Sequence, residues 1–193
     1  MTGLAEKLGA ALGPSLPDPL RGDVDFSSAS NGVAAAVLVG ITERSVPGVI
    51  LTVRHDDLRT HAGQIAFPGG RIDAGESPSR AAVREAWEEL DLDPAVPEVV
   101  AELDPYRTIT GFDVTPVLAV IAPDLPLVPH DREVADWFEA PLAFLLDPAN
   151  HYRQTVVVEG RTRHYYEINW QDRRIWGATA AMIVNLSRRL AWN

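Results

Sequence analysis

The chain has 193 residues, 46% hydrophobic and 23% charged, a balance that suits one folded domain with a single core and excludes a disordered or fibrous chain. It contains no cysteine, which rules out disulfides, thiolate nucleophiles and zinc–thiolate sites. The net charge of −10 argues against nonspecific nucleic-acid binding, which needs Lys and Arg to neutralise phosphates; an anionic ligand would have to be met by bound cations and a few local Arg or His.

Residues 1–31 read as a leader. They lack the basic segment and apolar run of a signal peptide, and the longest apolar stretch, near Val33–Val39, is too short to span a bilayer, so no membrane association and a cytoplasmic location are expected. Leu4, Leu8 and Leu12 recur at helical spacing, and Pro14, Pro17 and Pro19 stop that helix. A loop at Ser27–Gly32 leads into the main domain, 32–193, where Val33–Ile41 and Val49–Val53 read as strands joined through a Pro47-Gly48 turn. Residues 55–75, rich in Gly, Asp and His, read as a long functional loop. Ser77–Leu90 is the clearest helix, with Ser77 as N-cap and Pro78 at the first helical position. Strands are expected near Val99–Leu103, Val114–Ile121 and Tyr165–Ile168. Helices are expected over Pro141–Leu146 and Trp176–Leu190, the latter with Ile183, Leu186 and Leu190 on one face. The pattern is α/β in one domain.

The helix carries Glu85, Glu88 and Glu89 at i, i+3 and i+4, where the three carboxylates share a side and repel unless cations sit among them. Arg84 precedes Glu88 by four and is expected to hold only one of them. Ala82, Val83, Ala86 and Leu90 are apolar, so the helix is expected to lie on a core with its carboxylates displayed outward. A solvated helix face is the bland alternative. Hard oxygen donors in this number, following a glycine loop, suit Mg²⁺ or Mn²⁺ with phosphate oxygens completing the shell.

Gly70, Glu76, Arg84, Glu85, Ala86, Glu88, Glu89 and Leu92 match the fixed spacing of the Nudix box, and the chain resembles that family across it. Asp91 stands where the family has Gly at the helix exit, a position Asp tolerates better than most residues. The resemblance implies a mixed β-sheet sandwiched between α-helices and metal ligation by Glu85 and Glu89. It also implies a ligand or water-activating role for Glu88, a metal contact from the Gly69 carbonyl, and an orienting role for Arg84. Glu76 supports the box, or is a Glu favoured simply by the helix N-terminus.

Ahead of the box, Arg54, Arg59 and His61 put cations beside an acidic helix, and Gly63, Gly69 and Gly70 permit close backbone approach. The string Leu51 to Gly70 resembles the extra motif of the coenzyme A pyrophosphatase branch of the family. So do Ile109-Thr110-Gly111-Phe112, Val114-Thr115-Pro116-Val117, Glu133-Val134 and Trp176-Gly177-Ala178-Thr179-Ala180. The resemblance spans roughly residues 33–190. It implies hydrolysis of the diphosphate of coenzyme A or an acyl-coenzyme A to 3′,5′-ADP and 4′-phosphopantetheine. Arg54, Arg59, His61 and Arg71 are the expected substrate-binding cations and Glu133 a possible extra carboxylate. ADP-ribose, NADH or a nucleoside triphosphate is the alternative substrate, and a noncatalytic nucleotide-sensing module is the alternative from outside enzymes. His130, His151 and His164 show no metal spacing. Trp137-Phe138 and Tyr165-Tyr166 read as packing residues, and a homodimer is compatible with the sequence.

Overall fold

The computed structural model describes residues 3–20, 32–55, 63–130, 133–158 and 160–192. Its centre is a parallel pair, β1 (Val33–Thr42) and β7 (Phe112–Ile121), in register from Val33↔Phe112 to Thr42↔Ile121. Both strands are apolar with little polar alternation, as expected of a pair covered on both faces. β2 (Gly48–Arg54) runs antiparallel to β1 and carries β3 (Ile65–Ala66) and β8 (Val134–Pro141). β4 (Gly69–Arg71) pairs with the first half of β1, while β5 (Glu98–Glu102) and β6 (Tyr106–Arg107) pair with β7. The sheet is therefore mixed.

Two cores flank it. Ala36 and Leu38 of β1 and Val117, Ala119 and Ile121 of β7 meet Ala81, Ala82, Ala86 and Leu90 of α2 (Pro78–Leu90). The alternate residues, among them Ala35, Val39, Leu118 and Val120, face α1 (Gly3–Ala11), α3 (Leu142–Leu146) and α4 (Ala178–Arg189). The period of two along each strand thus feeds both layers, and helices cover the sheet on both sides. A second antiparallel sheet of β9 (Tyr152–Val158), β10 (Arg161–Trp170) and β11 (Arg173–Trp176) joins the α4-side core through Ile168 and Ile175.

The expected first helix is α1, and its Leu8 is fully buried. The segment after it is strapped to α4: the Asn185 side chain accepts from Leu20 N at 2.8 Å and donates to Leu20 O at 3.0 Å. Several short or polar strands depart from the expectation. β3 and β4 lie inside the stretch read as loop, and β8 and β9 were not foreseen. The last helix starts at Ala178 rather than Trp176, because Trp176 ends β11 and Gly177 turns the chain at φ 66°. Among the described residues, no helix is long and apolar enough to cross a membrane.

Candidate active site

The carboxylate helix is fixed at both ends. Ser77 accepts from the Arg80 N–H at 3.3 Å, with Pro78 opening the helix. Asp91 closes it at φ 57°, ψ 25°, its N–H donating to the Trp87 carbonyl. Asp therefore adopts the left-handed conformation for which the family uses glycine. Its carboxylate lies 3.5 Å from His130 Nε2, a contact that sequence spacing could not reveal. Small alanines on the inner face let α2 lie close to β1 and β7.

That closeness corrects the expectation that all three carboxylates are displayed outward. Glu89 is only 5% exposed and accepts from the Gly69 N–H at 3.3 Å. Glu85 is largely covered, with its carboxylate against Gly70, where a Cβ would lie 2.5 Å from the carboxylate carbon. Glu88 alone is half exposed. The helical stagger explains the split: Glu85 and Glu89 flank the inward Ala86 and Leu90 on the side of β4, whereas Glu88 points away from the sheet.

Arg84 also does more than expected. Its Nη1 donates to Glu85 at 2.8 Å and to Glu88 at 3.2 Å, its Nε and Nη2 to Glu76 at 3.1 Å each, and its Nη2 to the Arg71 carbonyl at 2.9 Å. One guanidinium thus joins three carboxylates and the glycine loop, using its fixed fork of donors. Glu76 is no ordinary helix-terminus acid. Beyond Arg84 it accepts from the Asp73 N–H at 3.1 Å, stapling the loop that carries Gly70 to the helix.

The electrostatics follow from burial. Burial pushes the Glu89 carboxyl up to about 8; the Gly69 N–H and the Arg54 charge pull it down, and the Glu85 and Glu133 charges push it further up. Burial raises Glu85 as well, opposed by Arg84 and reinforced by Glu88 and Glu133. The Arg84 guanidinium holds Glu76 below the ordinary carboxylate range. Glu133, far away in sequence, therefore faces the same centre as Glu85 and Glu89. Arg54 stands there too, whereas Arg71 lies over the Phe112 ring, 5.6 Å from its centre. Arg59 and His61 lie outside the described residues.

Among the described residues no three acidic or histidine side chains converge as a ready-made cation cage. Arg84 draws Glu85 and Glu88 to itself, and Glu89 is turned to Gly69. A divalent cation nevertheless fits this donor set. Glu85 and Glu89 offer hard oxygens side by side at the glycine loop, and the buried Glu89 holds its proton tightly for want of compensating charge, which a cation would supply.

The two glycines give a test of this geometry. At Gly69 a Cβ would overlap the Ala36 carbonyl oxygen and lie 2.6 Å from Val37 Cα, both backbone atoms that cannot yield. Gly69→Ala should therefore cost roughly 2 kcal/mol or more in chemical denaturation. The atoms nearest a Cβ at Gly70 all belong to the Glu85 side chain, so Gly70→Ala should keep stability within about 1 kcal/mol while turnover falls at least about tenfold. Equal effects of the two variants on stability would contradict this packing.

A family model for the NUDIX domain matches residues 31–158. A relative from Escherichia coli described as "Uncharacterized Nudix hydrolase NudL" is 40% identical over 158 residues, covering 81% of this chain and 82% of its own. A relative of the same description from Cronobacter sakazakii is 41% identical over 165 residues, covering 84% and 85%. Among solved structures, a MutT/nudix family protein from Enterococcus faecalis superposes with a TM-score of 0.50 at 14% identity, over 90% of this chain and 63% of that one, a likeness of fold.

Proposed function

The chain belongs to the Nudix hydrolase family, and on that premise we propose that it hydrolyses the diphosphate bond of coenzyme A or an acyl-coenzyme A, giving 3′,5′-ADP and the (acyl-)4′-phosphopantetheine. The observation that supports the reading is where the described ends of the segment from Leu51 to Gly70 lie. Its Arg54 end approaches Glu89, and its Gly69-Gly70 end touches both Glu89 and Glu85. The two described ends of the motif that resembles the coenzyme A branch thus adjoin the carboxylates of the box, which supports a shared role.

Glu85 and Glu89 would hold Mg²⁺ or Mn²⁺, which when bound neutralises diphosphate charge and lowers the pKa of a water. The Gly69 N–H orients the Glu89 carboxylate, and Arg84 orients Glu85. A carboxylate takes the proton of the attacking water, for which half-exposed Glu88 and nearby Glu133 are the candidates. Arg54, Arg59, His61 and Arg71 supply the positive charge that the acidic chain otherwise lacks.

The test is a substrate panel with products identified by mass spectrometry. Activity should vanish in excess chelator and return with Mg²⁺ or Mn²⁺. The kcat/KM for coenzyme A or an acyl-coenzyme A should exceed that for ADP-ribose, NADH and dNTPs by at least about tenfold, or about 1.4 kcal/mol in transition-state binding. Reaction in ¹⁸O-water should label a terminal phosphate and leave a thioester intact. Faster turnover of ADP-ribose than of every coenzyme A species would overturn the substrate assignment.

A further inference from the structure

Two cations that the sequence groups together stand on opposite faces of the central sheet. Side chains alternate along a strand, so position decides face. On β2, Ile50 packs in the α2-side core, whereas Leu51 and Val53 pack on the α4 side. Arg54 therefore takes the α2 face. Its register partner on β8, Val134, is buried in that same core. On β4, Gly70 presents its missing Cβ to Glu85 of α2. Arg71, the next residue, turns to the other face, over Phe112, which packs against the α4-side core.

Arg54 has a second peculiarity. Its Nε is buried and has no hydrogen-bond partner among the described residues. A buried charged N–H without an acceptor costs free energy until an acceptor arrives. Of the neighbouring carboxylates, Glu89 meets the Gly69 N–H and Glu85 meets Arg84, and neither accepts from Arg54 Nε. Arg71, by contrast, is exposed, and its position above an aromatic ring suits a part of the ligand remote from the carboxylates.

We infer that Arg54 donates to a non-bridging oxygen of the reacting diphosphate, while Arg71 and Phe112 hold a remote part of the substrate on the other face. Arg54 is then a catalytic residue, because charge on those oxygens is redistributed in the transition state, and Arg71 serves substrate binding alone. The inference rests on the diphosphate-hydrolase reading but not on coenzyme A being the substrate.

Arg54→Met should lower kcat about 100-fold on coenzyme A, dephospho-coenzyme A and ADP-ribose alike, with a smaller rise in KM of about fivefold to tenfold. Arg54→Lys keeps the charge but lacks the Nε donor, and should lose about tenfold. Arg71→Met should instead raise KM about fivefold with kcat within about twofold. Calorimetry with methylenediphosphonate and Mg²⁺ needs no turnover: its Kd should rise at least about fivefold in Arg54→Lys and stay within about twofold in Arg71→Met. If coenzyme A is not hydrolysed but ADP-ribose is, the substrate assignment fails while the kinetic split is still read on ADP-ribose. An equal loss of methylenediphosphonate affinity in both variants, or an Arg54 effect confined to substrates bearing a 3′-phosphate, would overturn the inference.

Discussion

Glu85→Gln and Glu89→Gln should each lower kcat by on the order of 10²-fold or more, yet differ in their effect on stability. Both exchanges remove a negative charge from the glycine-loop side of α2 while keeping the side-chain shape. At Glu89 the charge is one the fold holds only at a cost: the side chain is 5% exposed, and burial outweighs the pull of the Gly69 N–H and the Arg54 charge. An amide oxygen still accepts from Gly69 N, so the chelated Glu89→Gln protein should unfold at the same or a higher temperature than the parent. Glu85 is different, because its carboxylate is a direct partner of Arg84 at 2.8 Å. Burial opposes that charge while Arg84 holds it, so Glu85→Gln should leave the unfolding free energy within about 1 kcal/mol of the parent. Steady-state kinetics at saturating Mg²⁺, with thermal unfolding in chelator, checks both halves. A Glu89→Gln enzyme that kept turnover within about threefold of the parent would remove Glu89 from the reaction.

The different settings of these two carboxylates are hidden in the sequence, although the residues are not. The box residues, the Ser77 cap and Pro78 are local signals, and the helix they define runs from Pro78 to Leu90 as expected. The long apolar strands β1 and β7 were legible for the same reason. What the residues could not state was which way each side chain turns relative to distant elements. Glu85, Glu88 and Glu89 share one side of a helix at the level of spacing, but the approach of β4 buries one, covers another and leaves the third half exposed. The five donors of Arg84 make three carboxylate partners possible, and only the folded loop brings Glu76 to it. Strands of two or three residues such as β3, β4 and β6 carry too few positions to show a period. β9 is exposed along most of its length, and its exposed positions include Tyr152, Val156 and Val157 beside polar residues, so no alternation marks it. The opposite faces of Arg54 and Arg71 follow from strand register, which a linear motif does not encode.

In chelator, the parent protein should lose stability as pH rises from about 5 to about 8. An unfolded Glu titrates near 4.5, whereas burial pushes folded Glu89 up to about 8. Between those values the folded state keeps a proton that the unfolded state has released, so stability declines with pH across that window and levels off above it. Glu85, also raised by burial, adds to the decline. Glu76 works in the other direction but elsewhere. Held below its ordinary value by Arg84, it contributes stability above about pH 4.5 that is lost on further acidification. The Glu89 contribution should reach a few kcal/mol at most, since water penetration and relaxation moderate such penalties. Denaturation in urea from pH 5 to 9 measures the decline directly, and Glu89→Gln should flatten it. Mg²⁺ binds the ionised carboxylate and competes with the proton, so its stabilising effect should be small at pH 5 and large at pH 8 to 9. In Glu89→Gln the metal effect should shrink at every pH. Parallel pH profiles for parent and Glu89→Gln in chelator would show that the buried carboxylate is not the group that sets the slope, and an equal Mg²⁺ effect at pH 5 and pH 9 would separate Glu89 from the cation.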